Sequence, residues 1–145
     1  MEKTAREEII ELVNKLFIFT DYQRWEDLLK DVLTEEVHFD MSSLGGGEPT
    51  FMKATAIRDA WKEGFAGIDH IHHQSGNYLV TFVNPDQADV FCYAVASHYK
   101  QSALQGSTRS FVGSYNIGVT MTTSGWRINR FKYNLKYMDG NIELK

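Results

Sequence analysis

Cysteine is almost absent. Cys92 is the only one in 145 residues, which excludes an internal disulfide and any Cys-rich zinc site. Nothing in the chain calls for an oxidising compartment, and the cytoplasm is the expected one. Long apolar runs are also missing. The longest, Val90 to Ala96, has seven residues, far short of the roughly 18 needed to cross a bilayer, and the charged first turns do not read as a signal peptide. No basic block occurs: 15 Lys and Arg stand against 19 Asp and Glu, a net charge of −4. Such a surface repels polyanions, so neither nucleic acid nor membrane is an expected partner. There is no nucleotide-binding glycine motif, nucleophile elbow or zinc-protease helix. Gly45-Gly46-Gly47 lacks the preceding strand and following helix that phosphate binding requires, and with Pro49 it reads as a mobile loop or lid.

What is present is a length that suits one domain, residues 1–145, able to bury roughly two-thirds of its unfolded surface without metal or disulfide. Three Trp, seven Tyr and nine Phe are enough to build a core and still line a cavity with flat apolar walls, which points to a small organic ligand.

Thr4 followed by Glu7 is a capping box, and Ile9, Val13, Leu16, Phe17 and Thr20 continue at helical spacing, ending near Asp21 or Tyr22. A second short helix is expected over 24–33, with Trp25, Leu28, Leu29 and Val32 as its stripe. Val37, Phe39 and Met41 alternate with His38 and Asp40 as a strand. A third helix over 55–65 buries Ile57, Ala60, Trp61 and Phe65. Four long strands follow, over 71–83, 88–101, 110–122 and 126–138, separated by turn signals at Asn84-Pro85-Asp86, Gln105-Gly106 and Ser124-Gly125. Short connections make consecutive strands antiparallel. In the last strand the apolar parity switches, from Trp126 and Ile128 to Phe131, Tyr133, Leu135 and Tyr137, which predicts a β-bulge near Asn129 and Arg130. The architecture is α+β: a cone-shaped roll of strongly curved antiparallel sheet with three helices from the N-terminal half covering its concave face.

Asp21 lies four residues after Phe17 and eight after Val13, so a continuing helix turns its carboxylate inward with the buried stripe. A helix C-terminus is the wrong end for a negative charge and burial adds to the cost, which favours a proton-accepting role there. The alternative is an Asp that caps the second helix or meets Arg24 in solvent. Asp69-His70-Ile71-His72-His73 holds three of the five histidines; in a strand His70 and His72 share one face and His73 takes the other. A metal site would need a third ligand from His98, His38 or Glu48, and no metal is expected. A neutral histidine beside a buried carboxylate is more economical, since the carboxylate fixes the tautomer and leaves the other nitrogen ready for a proton. His98 shares parity with Val90, Cys92, Ala94 and Ala96, a face of mostly small side chains that leaves space. Ser114 and Asn116 share a face of the next strand and present a hydroxyl and an amide, either to that space or to solvent. Cys92, in the longest apolar run, reads as core.

The order of elements, with Asp21-x-x-x-Trp25, Val37-His38-Phe39-Asp40, His72-His73-Gln74-Ser75-Gly76-Asn77 and Gly125-Trp126-Arg127-Ile128, resembles the SnoaL-like branch of the nuclear transport factor two-like superfamily. Within it the chain is similar to scytalone dehydratase and related lyases, over nearly its whole length. The resemblance implies a deep pocket and a homodimer packed through the open sheet face. It makes Asp21 the pocket aspartate, His73 the central histidine, His98 the second histidine and Ser114-x-Asn116 the Ser-x-Asn pair. Thr20 and Met41 stand where the dehydratase has tyrosines that would hold a water against the substrate carbonyl; Tyr22, Tyr78, Tyr93 and Tyr115 are candidate replacements. The resulting expectation is a cofactor-independent lyase, isomerase or cyclase acting on a cyclic, apolar, oxygenated molecule of polyketide, terpenoid or steroid type. Asp21, His73 and His98 would be catalytic, and Ser114, Asn116, Thr20, Met41, Trp61 and Tyr22 substrate-binding. A non-catalytic carrier of an apolar ligand, and an accessory subunit of an oxygenase, are the competing readings.

Overall fold

The Thr4 hydroxyl accepts from the Glu7 amide and the Glu7 carboxylate accepts from the Thr4 amide, so the capping box is complete and starts α1, Ala5–Asp21. The computed structural model describes all 145 residues. Ile9, Leu12, Val13, Leu16 and Phe17 form the buried stripe of α1, and Tyr22 closes the helix. After it come α2, Trp25–Asp31, and β1, Leu33–Asp40; a 3-10 turn at Ser42–Leu44 precedes β2, Thr50–Lys53, and α3, Ala54–Gly64. The four long strands are β3, His70–Asn84, β4, Gln87–Tyr99, β5, Thr108–Thr122, and β6, Gly125–Gly140.

The six strands form one sheet in the order β2-β1-β6-β5-β4-β3. All pairs are antiparallel except β1 with β6, which is parallel. The inner face carries Val90, Cys92, Tyr115, Ile117, Val119, Phe131 and Tyr133, joined with the apolar stripe of α1 in one core. Burial of so much apolar surface is the main stabilising term.

Gly118 pairs with Arg130 and Val119 with Ile128, which leaves Asn129 as the extra residue of a bulge. It sits where the parity switch places it. A second bulge leaves Lys136 unpaired, between Leu135 opposite Gly113 and Tyr137 opposite Val112. It turns Tyr137 to the outer face, correcting its expected place in line with Phe131, Tyr133 and Leu135. The sequence reading missed β2, a four-residue edge strand on β1 that carries no buried stripe. It also placed Ala60 in the buried face of α3, whereas Ala60 is exposed and only Ala54 and Ile57 are fully buried. This helix covers the rim of the sheet, so its stripe is narrow. α2 ends earlier than expected because Val32 and Leu33 leave the helix to join β6, with the Ile128 amide donating to the Val32 carbonyl at 2.8 Å.

Candidate active site

Asp21 and His73 meet inside the cone. The last turn of α1 keeps Asp21 on the face of Phe17 and Val13, and β3 sets His73 on the inner face opposite Ala96, whose methyl leaves room for the ring. Asp21 Oδ1 lies 2.5 Å from His73 Nδ1, and Oδ2 accepts the His73 backbone amide at 2.8 Å. The His73 and Asp21 side chains are 10% and 8% exposed, so the contact is screened from water. Phe17 stacks on the imidazole, ring centroids 5.2 Å apart. A carboxylate only accepts, so Nδ1 of the neutral ring carries the proton and Nε2 holds the lone pair.

His73 forms part of the wall of a cavity of about 80 Å³, shared with Leu16, Phe17, Thr20, Met41, Trp61, Phe65, Tyr115 and Phe131. Its polar atoms are few. The Thr20 hydroxyl donates to the Leu16 carbonyl at 2.7 Å and is thereby committed to the helix. Met41 and Trp61 line the cavity, Trp61 packing against Phe39 and Phe131. Of the tyrosines named as replacements, only Tyr115 lines the cavity. Burial pushes its pKa up, so it remains a protonated phenol able to donate. Tyr78 is tied instead to α1: it donates to Asn14 Oδ1 at 2.5 Å and lies 2.6 Å from the Ser75 hydroxyl. Asn14 and Asp21 are two helical turns apart on one face, and Ser75 and His73 are two apart on the inner face of β3, so the two contacts fix the register of helix on strand.

His98 is buried on the inner face, 6% exposed, with its ring against Phe65 and Phe111. It stands beside the cavity wall, next to Phe65, rather than among the lining residues. Arg109, its register partner on β5, donates through Nε to His98 Nδ1 at 2.9 Å and through a second nitrogen to the Ile142 carbonyl at 2.8 Å. Burial, the Arg109 charge and His73 together pull the His98 pKa down to about 4. Cys92 is core, as read, and burial pushes its thiol up to about 12.

Three expected ligand contacts are corrected. Ser114 and Asn116 have opposite parity to Tyr115 and lie on the outer face of the sheet, where the Asn134 amide donates to both, at 3.2 Å and 2.7 Å. Spacing put them on one face, and packing made it the face away from the helices. Tyr22 is 75% exposed at the helix end, one residue beyond the last inward-turned position. Tyr93 is likewise outside, beneath the Lys136 ammonium. His70 and His72 are exposed on the outer face of β3, and no group of three His, Cys, Asp or Glu is placed to hold a metal ion. Arg109 escaped the sequence reading; its parity with Phe111 was a signal, though not one that names His98 as its partner.

The profile of the SnoaL-like domain family matches residues 1–132. No protein with a curated description matches the chain. Among solved structures, the Kfla4162 protein of Kribbella flavida is 26% identical, with 97% of this chain and 95% of that chain covered and a TM-score of 0.89. A candidate scytalone dehydratase of Novosphingobium aromaticivorans is 16% identical, covering 90% and 83%, with a TM-score of 0.74. The hexachlorocyclohexane dehydrochlorinase LinA-type3 of Novosphingobium barchaimii is 14% identical, covering 93% and 88%, with a TM-score of 0.78. At these last two identities the likeness is one of fold.

Proposed function

The chain belongs to the SnoaL-like domain family, and from that premise we propose that it is a cofactor-independent acid–base enzyme, a lyase or isomerase working on a small, cyclic, mostly apolar oxygenated molecule. The observation that carries this reading is the Asp21–His73 contact, 2.5 Å long, with His73 on the wall of a partly open, mostly apolar cavity. His73 Nε2 takes a proton from a carbon next to a carbonyl. The C–H electron pair passes to the carbonyl oxygen as an enolate, which either collapses to expel a leaving group from the β carbon, protonated by the His73 imidazolium, or is reprotonated at another carbon by that same imidazolium. Asp21 holds the tautomer beforehand and stabilises the imidazolium that forms. The Tyr115 phenol is the donor nearest to hand for the developing oxyanion. Elimination is favoured within this class, because the dehydratase and dehydrochlorinase of similar fold both bear names that denote it.

The cavity, about 80 Å³, is well under the ~300 Å³ at which ligand sites usually start. A single six-membered ring already fills it, and anything larger requires the half-buried Met41, Trp61 and Phe65 to yield. The same premise supports a homodimer packed through the outer sheet face, where Leu79, Tyr93, Val95 and Tyr137 are exposed.

Turnover of a substrate found by screening tests the mechanism. General-base catalysis contributes about 10²- to 10⁴-fold, so His73→Ala should cost roughly 3 to 5 kcal/mol of barrier, and Asp21→Asn, which permits the wrong tautomer, should cost much of that. Near wild-type rates in both variants overturn the mechanism. Ligand recovered unchanged after long incubation, with affinity insensitive to Asp21→Asn, identifies a carrier instead.

A further inference from the structure

The two inward-facing histidines are paired with groups of opposite charge, and this settles which proton each carries. Asp21 can only accept, so His73 carries a proton on Nδ1, and in its neutral form the lone pair is at Nε2. Arginine can only donate, so the 2.9 Å contact from Arg109 Nε requires a bare Nδ1 on His98 and puts that ring's proton on Nε2. Nε2 of His98 has no hydrogen-bond partner within the protein and its neighbours Phe65 and Phe111 supply none, but unlike Trp126 Nε1 and Tyr133 Oη it is not sealed from its surroundings. Arg109 is itself held: its second bond goes to the Ile142 carbonyl, and its guanidinium lies 5.4 Å from the Phe111 ring centre.

We propose that Arg109 is a positioning residue that locks His98 as a neutral Nε2–H donor, so that the site holds a histidine base and a histidine donor whose roles are fixed by their partners. His98 is not itself a lining residue, so the ligand feature this donor recognises is an uncharged carbonyl or hydroxyl oxygen that enters where Phe65, packed edge-on against the His98 ring, yields. This deepens the reading above and rests on it for the ligand, but the tautomer is a property of the protein alone. The charged and titratable groups bearing on His98 are Arg109 from β5, His73 from β3 and Asp21 from α1. Arg109 opposes a second proton on the ring, His73 does so only when it is itself charged, and Asp21 favours one more weakly.

Long-range nitrogen–proton NMR spectra of protein labelled with ¹⁵N-histidine read each tautomer directly. In the wild type, His98 should be a neutral Nε2–H ring at pH 7, and His73 should carry a proton on Nδ1. Arg109→Met should leave His98 a mixture of tautomers and raise its titration midpoint, and Arg109→Lys, which keeps charge and donor, should restore at least part of the preference. The ligand arm compares 1-indanone with indane, which has the same ring skeleton and no carbonyl oxygen. Any preference for the ketone should fall about 2- to 10-fold in Arg109→Met, the scale of one hydrogen bond, with indane unaffected. A wild-type His98 that carries its proton on Nδ1, or is charged at pH 7, overturns the proposal without any variant having to fold. So does an Arg109→Met protein with unchanged tautomer and unchanged ketone preference. Since the spectra need no turnover, a failure here is distinct from a failure of the His73 mechanism.

Discussion

At the scale of the residue, the same side chain type does different work according to its partner. His73 faces a carboxylate and His98 a guanidinium. The difference makes His98 a pH-sensitive element of stability. Burial first, then Arg109 and His73, lower its folded-state pKa from 6.5 to about 4. Between those values the unfolded chain binds the proton and the folded one does not, so this stability is complete above about pH 6.5 and lost as pH falls toward 4. A drop of about two and a half units corresponds to roughly 3 kcal/mol. Urea unfolding at pH 7 and pH 4.5 should therefore show a smaller pH dependence in His98→Gln than in wild type, by a sizeable part of that amount. Equal slopes for the two proteins would contradict a buried neutral His98. Spacing placed Asp21 in line with Phe17 and Val13, and His73 on the face opposite to that of His70 and His72, because helix and strand periods fix relative directions; which strand face turns inward came from the family resemblance. The partner of His98 was not, since Arg109 is eleven residues away and meets it only through the β4–β5 register.

At the scale of the element, the Asn129 bulge decides what faces inward. Upstream of it Ile128 is buried; downstream Phe131 and Tyr133 are 5% and 3% exposed, and only an extra residue lets both sets share a face. Deleting Asn129 would turn Phe131 and Tyr133 outward and Arg130 and Lys132 inward. The variant should lose cooperative unfolding and the near-ultraviolet dichroism of its buried aromatics. A cooperative, native-like transition would show that β6 tolerates the slip. Gly113 belongs to the same design: a β-carbon there would fall 2.2 Å from the Asn134 carbonyl oxygen and 2.7 Å from the Tyr133 hydroxyl. The switch in apolar parity announced the first bulge in the sequence. The second, at Lys136, was hidden because Leu135 and Tyr137 read equally well on one face.

At the scale of the molecule, the sheet has one face sealed by helices and one left open. On the open face Leu79, Tyr93, Val95 and Tyr137 are each more than 40% exposed, around the polar cluster of Ser114, Asn116 and Asn134. Several large apolar side chains exposed together on one sheet face are characteristic of a protein interface. If the proposed dimer forms here, sedimentation at tens of micromolar should show two chains for the wild type and one for Val95→Glu. Turnover should survive in the variant, because Val95 lies on the face opposite the cavity. A monomeric wild type under those conditions would rule the arrangement out.

The sequence by itself determined the helices, the four long strands and the first bulge, because these follow from periods of 3.6 and 2 that act over a few residues; the choice of Asp21 and His73 as the inward pair came from the family resemblance. Tertiary structure alone decided that Ser114 and Asn116 face away from the cavity, that Tyr115 faces into it, that β1 runs parallel to β6, and that Arg109 sets the proton on His98. Such outcomes depend on which of two equivalent faces the helices cover, and on register summed across neighbouring strands, which no local pattern encodes.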